Sequence, residues 1–158
     1  MTRFIEIPGQ VVIGTQAASG TKYFSEHGGT IALQRTHFEQ AGVDLTRIHN
    51  GTVNVDIKPL SFYIKKPTII VPNVYWHPIY RDRSETFWFV ECILHFQDNE
   101  YEGFVYYPHP STKIGISPGK SVIETLIPFI SNLNYGSLVA LKLPDDRIEI
   151  ERQNESII

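Results

Sequence analysis

Cysteine is nearly absent from this 158-residue chain: Cys92 is the one residue of its kind. An intrachain disulfide is thereby excluded, and so is any zinc site that needs two thiolates. Long apolar runs are lacking too. No stretch approaches the roughly 18–20 consecutive apolar residues of a membrane-spanning helix, and Glu6 and Pro8 interrupt the first segment before a signal-peptide core builds up. A third absence is basic excess. Fourteen lysines and arginines stand against 17 acidic residues, for a net charge of −3, whereas a domain that holds nucleic acid by its phosphates normally carries surplus positive charge. There is no internal repeat. Neither the phosphate loop G-x-x-x-x-G-K-[ST] nor the dinucleotide fingerprint G-x-G-x-x-G occurs. The six histidines form no close ligand pair in sequence.

What is present belongs to a folded domain: 42% apolar, 20% charged and 12% aromatic residues. The length predicts one domain over residues 1–152, with a frayed tail over 153–158. The composition predicts a soluble, cytoplasmic protein with neither membrane nor nucleic acid as partner. It leaves the oligomeric state open.

Strand signals dominate. Val11–Ile13, Thr52–Ile57, Phe62–Ile64, Thr68–Val71, Thr86–Phe96 and Glu102–Tyr107 are β-branched, aromatic or strictly alternating. The longest, TFWFVECILHF, predicts a mid-sheet strand. Leu138–Leu143 and Arg147–Glu151 read as a terminal hairpin, with Pro144-Asp145-Asp146 as its turn. Ile31–Ala41 reads as a helix with Leu33, His37 and Ala41 on one side and Phe38 beside them, stopped by Gly42. Around Ser121–Leu133 two readings compete. Ser121 and Glu124 match a capping box that would start a helix, but Pro128 would then lie inside it at a cost of about 3 kcal/mol. A strand over Val122–Ile127, with Pro128 opening a short helix, avoids that cost. The class expected is mainly β, a barrel or sandwich with one or two short helices.

Three features could carry chemistry. In Thr52–Ile57 (TVNVDI), period-2 alternation puts Val53, Val55 and Ile57 on one face and Thr52, Asn54 and Asp56 on the other. A hydroxyl, an amide and a carboxylate in line suit a hard cation such as Mg²⁺; a solvated strand face fits the same pattern. The loop Gly14–Lys22 (GTQAASGTK) is small and polar, so that its backbone N–H groups and Lys22 suit phosphate, and a plain connecting loop has the same make-up. Tyr75, Trp76, Tyr80, Phe87, Trp88, Phe89, Tyr106 and Tyr107 make an aromatic middle that serves a core or flanks a planar ligand. Cys92, inside the strongest strand, reads as a buried, inert thiol.

The run His49–Ile57 (HNGTVNVDI) resembles the P-G-T-L-N-V signature of the CTP-dependent, archaeal-type riboflavin kinases. Order and spacing extend the resemblance over roughly Val11 to Ile150. Before the motif stand a strand, a Gly-containing loop ending in Tyr23-Phe24 and a helix ending at Gly42. After it come Tyr107-Pro108, Ser111-Thr112, Ile123-Glu124, Pro128, Leu133, Tyr135 and Gly136-Ser137-Leu138-Val139. The resemblance implies a six-stranded cradle-loop β-barrel that moves the γ-phosphoryl of CTP to riboflavin, giving FMN with Mg²⁺. By the same resemblance Thr52 and Asn54 hold the metal. The nucleotide lies against Gly14, Thr15, Ser19, Gly20, Thr21 and Lys22, with Phe129 and Asn132 closing on its base, and Thr112 and Glu124 contact the flavin. Asp56, next on the metal face, is a further candidate for a base or supporting group; the family motif does not include it. Several positions depart from the family: the loop lacks G-x-G-x-G, Asn50 replaces the proline before G-T, Asn132 stands where an arginine is usual, Ser137 replaces an aspartate, and the Thr112–Glu124 spacing is longer. These changes touch ligand contacts more than the barrel. They keep two other readings open, a non-catalytic barrel that binds a flavin or nucleotide and a related kinase with another acceptor or donor.

Overall fold

The computed structural model describes residues 2–13, 30–112 and 120–152. The loop Gly14–Lys22, residues 113–119 of the later loop and the tail 153–158 lie outside them. The described elements run β1 (Phe4–Val12), α1 (Thr30–Gln40), β2 (Val53–Asp56), β3 (Leu60–Ile64), β4 (Ile69–Val74), β5 (Glu85–Phe96), β6 (Asn99–Pro108), β7 (Val122–Leu126), β8 (Leu138–Pro144) and β9 (Ile148–Arg152). Among the described residues no helix is long and apolar enough to cross a membrane.

The protein is mainly β. Six antiparallel strands follow one another in the order β5-β6-β7-β2-β1-β8, and a β8–β5 pairing brings the last back to the first. The result is a barrel-like ring. β5 makes this closure possible because its 12 residues serve two neighbours along one edge. Ile69–Val74 of β4 pairs with Glu85–Phe89, and Ala140–Lys142 of β8 pairs with Ile93–His95. Alternate residues then face inward, so Val90, Cys92 and Leu94 meet Val55, Val105, Ile123 and Leu141 in the ring's core.

Burial inside this core pushes the Cys92 thiol up to about 12. Cys92 should therefore stay unreactive toward a thiol reagent at mildly alkaline pH, and react fully once denaturant opens the ring. Rapid labelling of the native protein would contradict the buried inner position.

The opposite face of β5 and β6 carries a second core. Phe87, Phe89, Tyr106 and Leu126 pack there with Ile31 and Phe38 of α1 and with Val43 and Leu45 beyond it. The Phe38 ring stands edge-on to Phe87 and Phe89, at centroid distances of 4.9 and 4.8 Å. The helix ends as expected at Gly42, whose φ of +98° suits glycine, and the Val43 N–H bonds back to Phe38 O. Its buried stripe differs from the expected one. Ile31, Gln34 and Phe38 are buried, while Ala41 is exposed. Gln34 is tolerated inside because its Oε1 accepts the Tyr106 hydroxyl at 2.8 Å.

Three further expectations are corrected. β1 begins at Phe4 rather than Val11, since Pro8 and Gly9 broke the apolar pattern without breaking the strand; Pro8 sits opposite Ala140 and Gly9 opposite Val139. The segment after Pro128 is irregular and ends in a turn, not a short helix. The Ile127 carbonyl that would open such a helix instead accepts the His49 N–H at 3.1 Å. The terminal hairpin also does not form. β8 is already bonded on both edges, to β1 and β5, so β9 crosses over and pairs with β3 as a separate two-stranded ribbon. Asp145 fixes that corner by donating its N–H to Arg3 O at 2.9 Å and accepting Arg3 Nε at 3.1 Å.

Candidate functional site

β2 is short, and its alternation settles which side chains face outward. Val55 and Ile57 are buried in the ring's core, as the pattern predicts, and Asn54 and Asp56 lie on the other face. Pairing with β7 sets Asn54 opposite Glu124 and Asp56 opposite Val122. Partners in an antiparallel pair share a face, with Cβ atoms about 4.5–5.5 Å apart. Inside the ring, Thr125 locks this register by donating its hydroxyl to Val53 O at 2.8 Å.

Asn54 and Glu124 are 7% and 9% exposed. The Asn54 Oδ1 atom is buried and has no hydrogen-bond partner among the described residues. Buried polar atoms are nearly always paired, so an orphaned amide oxygen beside a carboxylate is a strong local signal. Thr52, half-buried, lies two residues before it. Thr52 Oγ1 and Asn54 Oδ1 are oxygen donors of the kind Mg²⁺ takes, and the lone pairs of Asn54 Oδ1, which accept no hydrogen bond among the described residues, are open to a cation.

Glu124 also reaches a second environment. It lines a cavity of about 660 Å³ bounded by residues of β3, β6, β7 and β9, within the usual size range of small-molecule sites, about 300–1,000 Å³. Tyr106 lines it as well. Burial, then the nearby carboxylates of Glu124 and Glu85, hold the Tyr106 hydroxyl well above its ordinary value, so it acts as a neutral donor. Glu85 is itself buried and accepts the Trp76 Nε1–H at 3.1 Å.

The remaining candidates are spread out. Asp56 is engaged at the end of β2: its Oδ1 accepts the Lys58 N–H at 3.0 Å, and the Lys58 ammonium lies 3.6 Å from Oδ2. The Thr112 hydroxyl accepts the Thr86 N–H at 2.8 Å and so ties the end of β6 to the start of β5. Phe129 is exposed, its ring 5.4 Å from that of His49. Asn132 donates to Gln97 Oε1 at 3.0 Å, at the β5–β6 turn. Gly14, Thr15, Ser19, Gly20, Thr21 and Lys22 lie outside the described residues.

Sequence reasoning missed several contributors. Gln34 had a legible signal, a polar residue three after Ile31 and four before Phe38 on a buried stripe. Tyr63, Glu149 and Glu151 join the cavity through the β3–β9 ribbon, which the hairpin expectation concealed. Arg35 was missed as well. Its guanidinium donates to Ile48 O at 2.9 Å, to Asn50 Oδ1 at 2.8 Å and to Leu45 O. One side chain of α1 thus clamps the segment that leads into Gly51-Thr52, and Asn50 has a partner of its own there. Arg35→Ala should cost about 1–3 kcal/mol, since two carbonyls and an amide lose their donor. Arg35→Lys should recover little of it, because an ammonium cannot span the fork. Denaturant unfolding of both variants checks this; a lysine variant as stable as the parent would show that charge alone suffices.

No protein-family model matches the chain, and no curated protein sequence matches it.

Proposed function

We propose that the chain is a phosphotransferase of the riboflavin kinase type, built on a cradle-loop barrel, which moves the terminal phosphoryl of a nucleoside triphosphate to riboflavin. CTP is the donor that the sequence resemblance favours. The observation that carries this reading is the buried, unpartnered Asn54 Oδ1 on the residue directly across the strand pair from Glu124, which itself lines a cavity with aromatic walls. Thr52 and Asn54 would hold Mg²⁺, which when bound neutralises charge on the terminal phosphates. Glu124 orients the acceptor hydroxyl, and the cavity's aromatic walls hold its planar ring. A new O–P bond forms to that hydroxyl as the bond to the donor's β-phosphate oxygen breaks. The nucleoside diphosphate leaves with the electron pair, and the hydroxyl proton passes to Glu124. Such a reaction asks the protein mainly for positioning and charge stabilisation, not covalent chemistry.

The test is direct: incubate the protein with riboflavin, Mg²⁺ and each of CTP, ATP, GTP and UTP, separate the flavins and detect FMN by its fluorescence. FMN with CTP alone supports the full reading. FMN with another donor keeps the chemistry and changes the nucleotide. A second reading, a non-catalytic flavin- or nucleotide-binding barrel, draws on one observation: the Thr112 hydroxyl is already committed to the Thr86 N–H. Thermal stabilisation by riboflavin, with no FMN from any donor, would favour it.

A further inference from the structure

The cavity has a charge preference written into its walls. Antiparallel pairing on the β3–β9 ribbon sets Tyr63 opposite Glu149 and Ser61 opposite Glu151, so these four side chains stand on one face and all line the cavity. Glu124 closes it from β7, and Lys120 is the one cation among the described lining residues. Three carboxylates therefore face one ammonium. The other walls are rings. Phe62 stands edge-on to Tyr107, with centroids 6.1 Å apart. Burial, and then the neighbouring Tyr63, raise the Tyr107 hydroxyl above its usual range, which keeps it a neutral donor. A cleft whose lining carries a net negative charge favours ligands that are not anionic.

We infer that this cavity takes a planar aromatic ligand that is uncharged or cationic and disfavours the same ring bearing a phosphate. The place of this ligand in a reaction rests on the phosphotransfer reading above; the charge selection does not. On that reading the acceptor enters unphosphorylated, and its phosphorylated product is repelled from the site where it formed.

Three tricyclic probes of similar shape test this: riboflavin (neutral), FMN (anionic) and proflavine (cationic), each titrated by fluorescence at low ionic strength. They are compared on the parent and on the double variant Glu149→Gln, Glu151→Gln. Both positions are exposed on the ribbon, so the fold should tolerate the change. The expected result is FMN binding roughly tenfold weaker than riboflavin, with the gap narrowing in the double variant and in added salt, since exposed charges are screened. Proflavine binding without riboflavin binding, weakened by the double variant, would sustain the charge selection while removing the flavin reading. FMN binding as tightly as riboflavin, affinities unmoved by the double variant, or no binding of any probe would each overturn the inference.

Discussion

Asn54→Ala is expected to abolish Mg²⁺-dependent phosphotransfer while leaving the protein about as stable as the parent. The two halves of that expectation have one cause. A buried polar side chain that is hydrogen-bonded within the protein typically costs about 1–3 kcal/mol when its partner is left unsatisfied. The Asn54 Oδ1 atom has no such partner among the described residues, so removing it strands no donor and relieves a buried acceptor of its own desolvation. A group that is neutral for stability and essential for function marks a site kept for a ligand. Thermal unfolding with and without Mg²⁺ separates this from a structural role without any activity assay. A cation that binds the native state at 100 times its dissociation constant stabilises by about 2.7 kcal/mol, roughly 5–11 °C in a domain of this size. The parent should show that shift and the variant should lose it. A variant that is destabilised by about 2 kcal/mol and still stabilised by Mg²⁺ would make Asn54 a framework residue.

The strands of this fold were legible wherever local pattern and tertiary environment agreed. TVNVDI alternates because one face meets the ring's core, and TFWFVECILHF is apolar on both faces because β5 has a core on each side. Pro128 marks the end of β7, and Gly42 the end of α1, for reasons confined to their own backbones. Legibility failed where the deciding partner was remote in sequence. Nothing near Arg147 reveals that β8 has no free edge, so β9 looked like its hairpin mate. Nothing near Pro128 reveals that His49 takes the Ile127 carbonyl. The site divides in the same way. Asn54 and Glu124 were each visible, one as an oxygen donor on a strand face and the other through resemblance. Their adjacency is a matter of register, fixed by long-range pairing of β2 with β7. The cavity's acidic wall depends on the β3–β9 ribbon and was invisible for the same reason.

Gly103→Ala should destabilise the fold more than the same substitution at Gly9, Gly42 or Gly136. Gly103 lies in β6 opposite Cys92, just past the last residues that β6 pairs with β7, Phe104–Leu126 and Val105–Thr125. A Cβ added there would stand 2.0 Å from Leu126 O and 2.9 Å from Ile127 Cγ2. The nearer atom is backbone, so no rotamer change can make room; β7 itself must move away from β6. Overpacking of this kind costs about 3 kcal/mol or more, roughly 6–12 °C in melting temperature. Gly42→Ala and Gly136→Ala provide the contrast. Both glycines hold positive φ, +98° and +93°, but an added Cβ meets nothing within 4 Å. Their cost is the backbone penalty alone, about 1–2 kcal/mol. The ordering distinguishes crowding from conformational strain: if Gly103→Ala melts no lower than Gly42→Ala, β6 and β7 do not approach as closely as described. The displacement also has a functional reading, because β7 carries Glu124 two residues before Leu126. A Gly103→Ala protein that still folds at low temperature should lose ligand affinity at the cavity as well as stability, whereas the Gly42 and Gly136 variants should keep the parent's affinity.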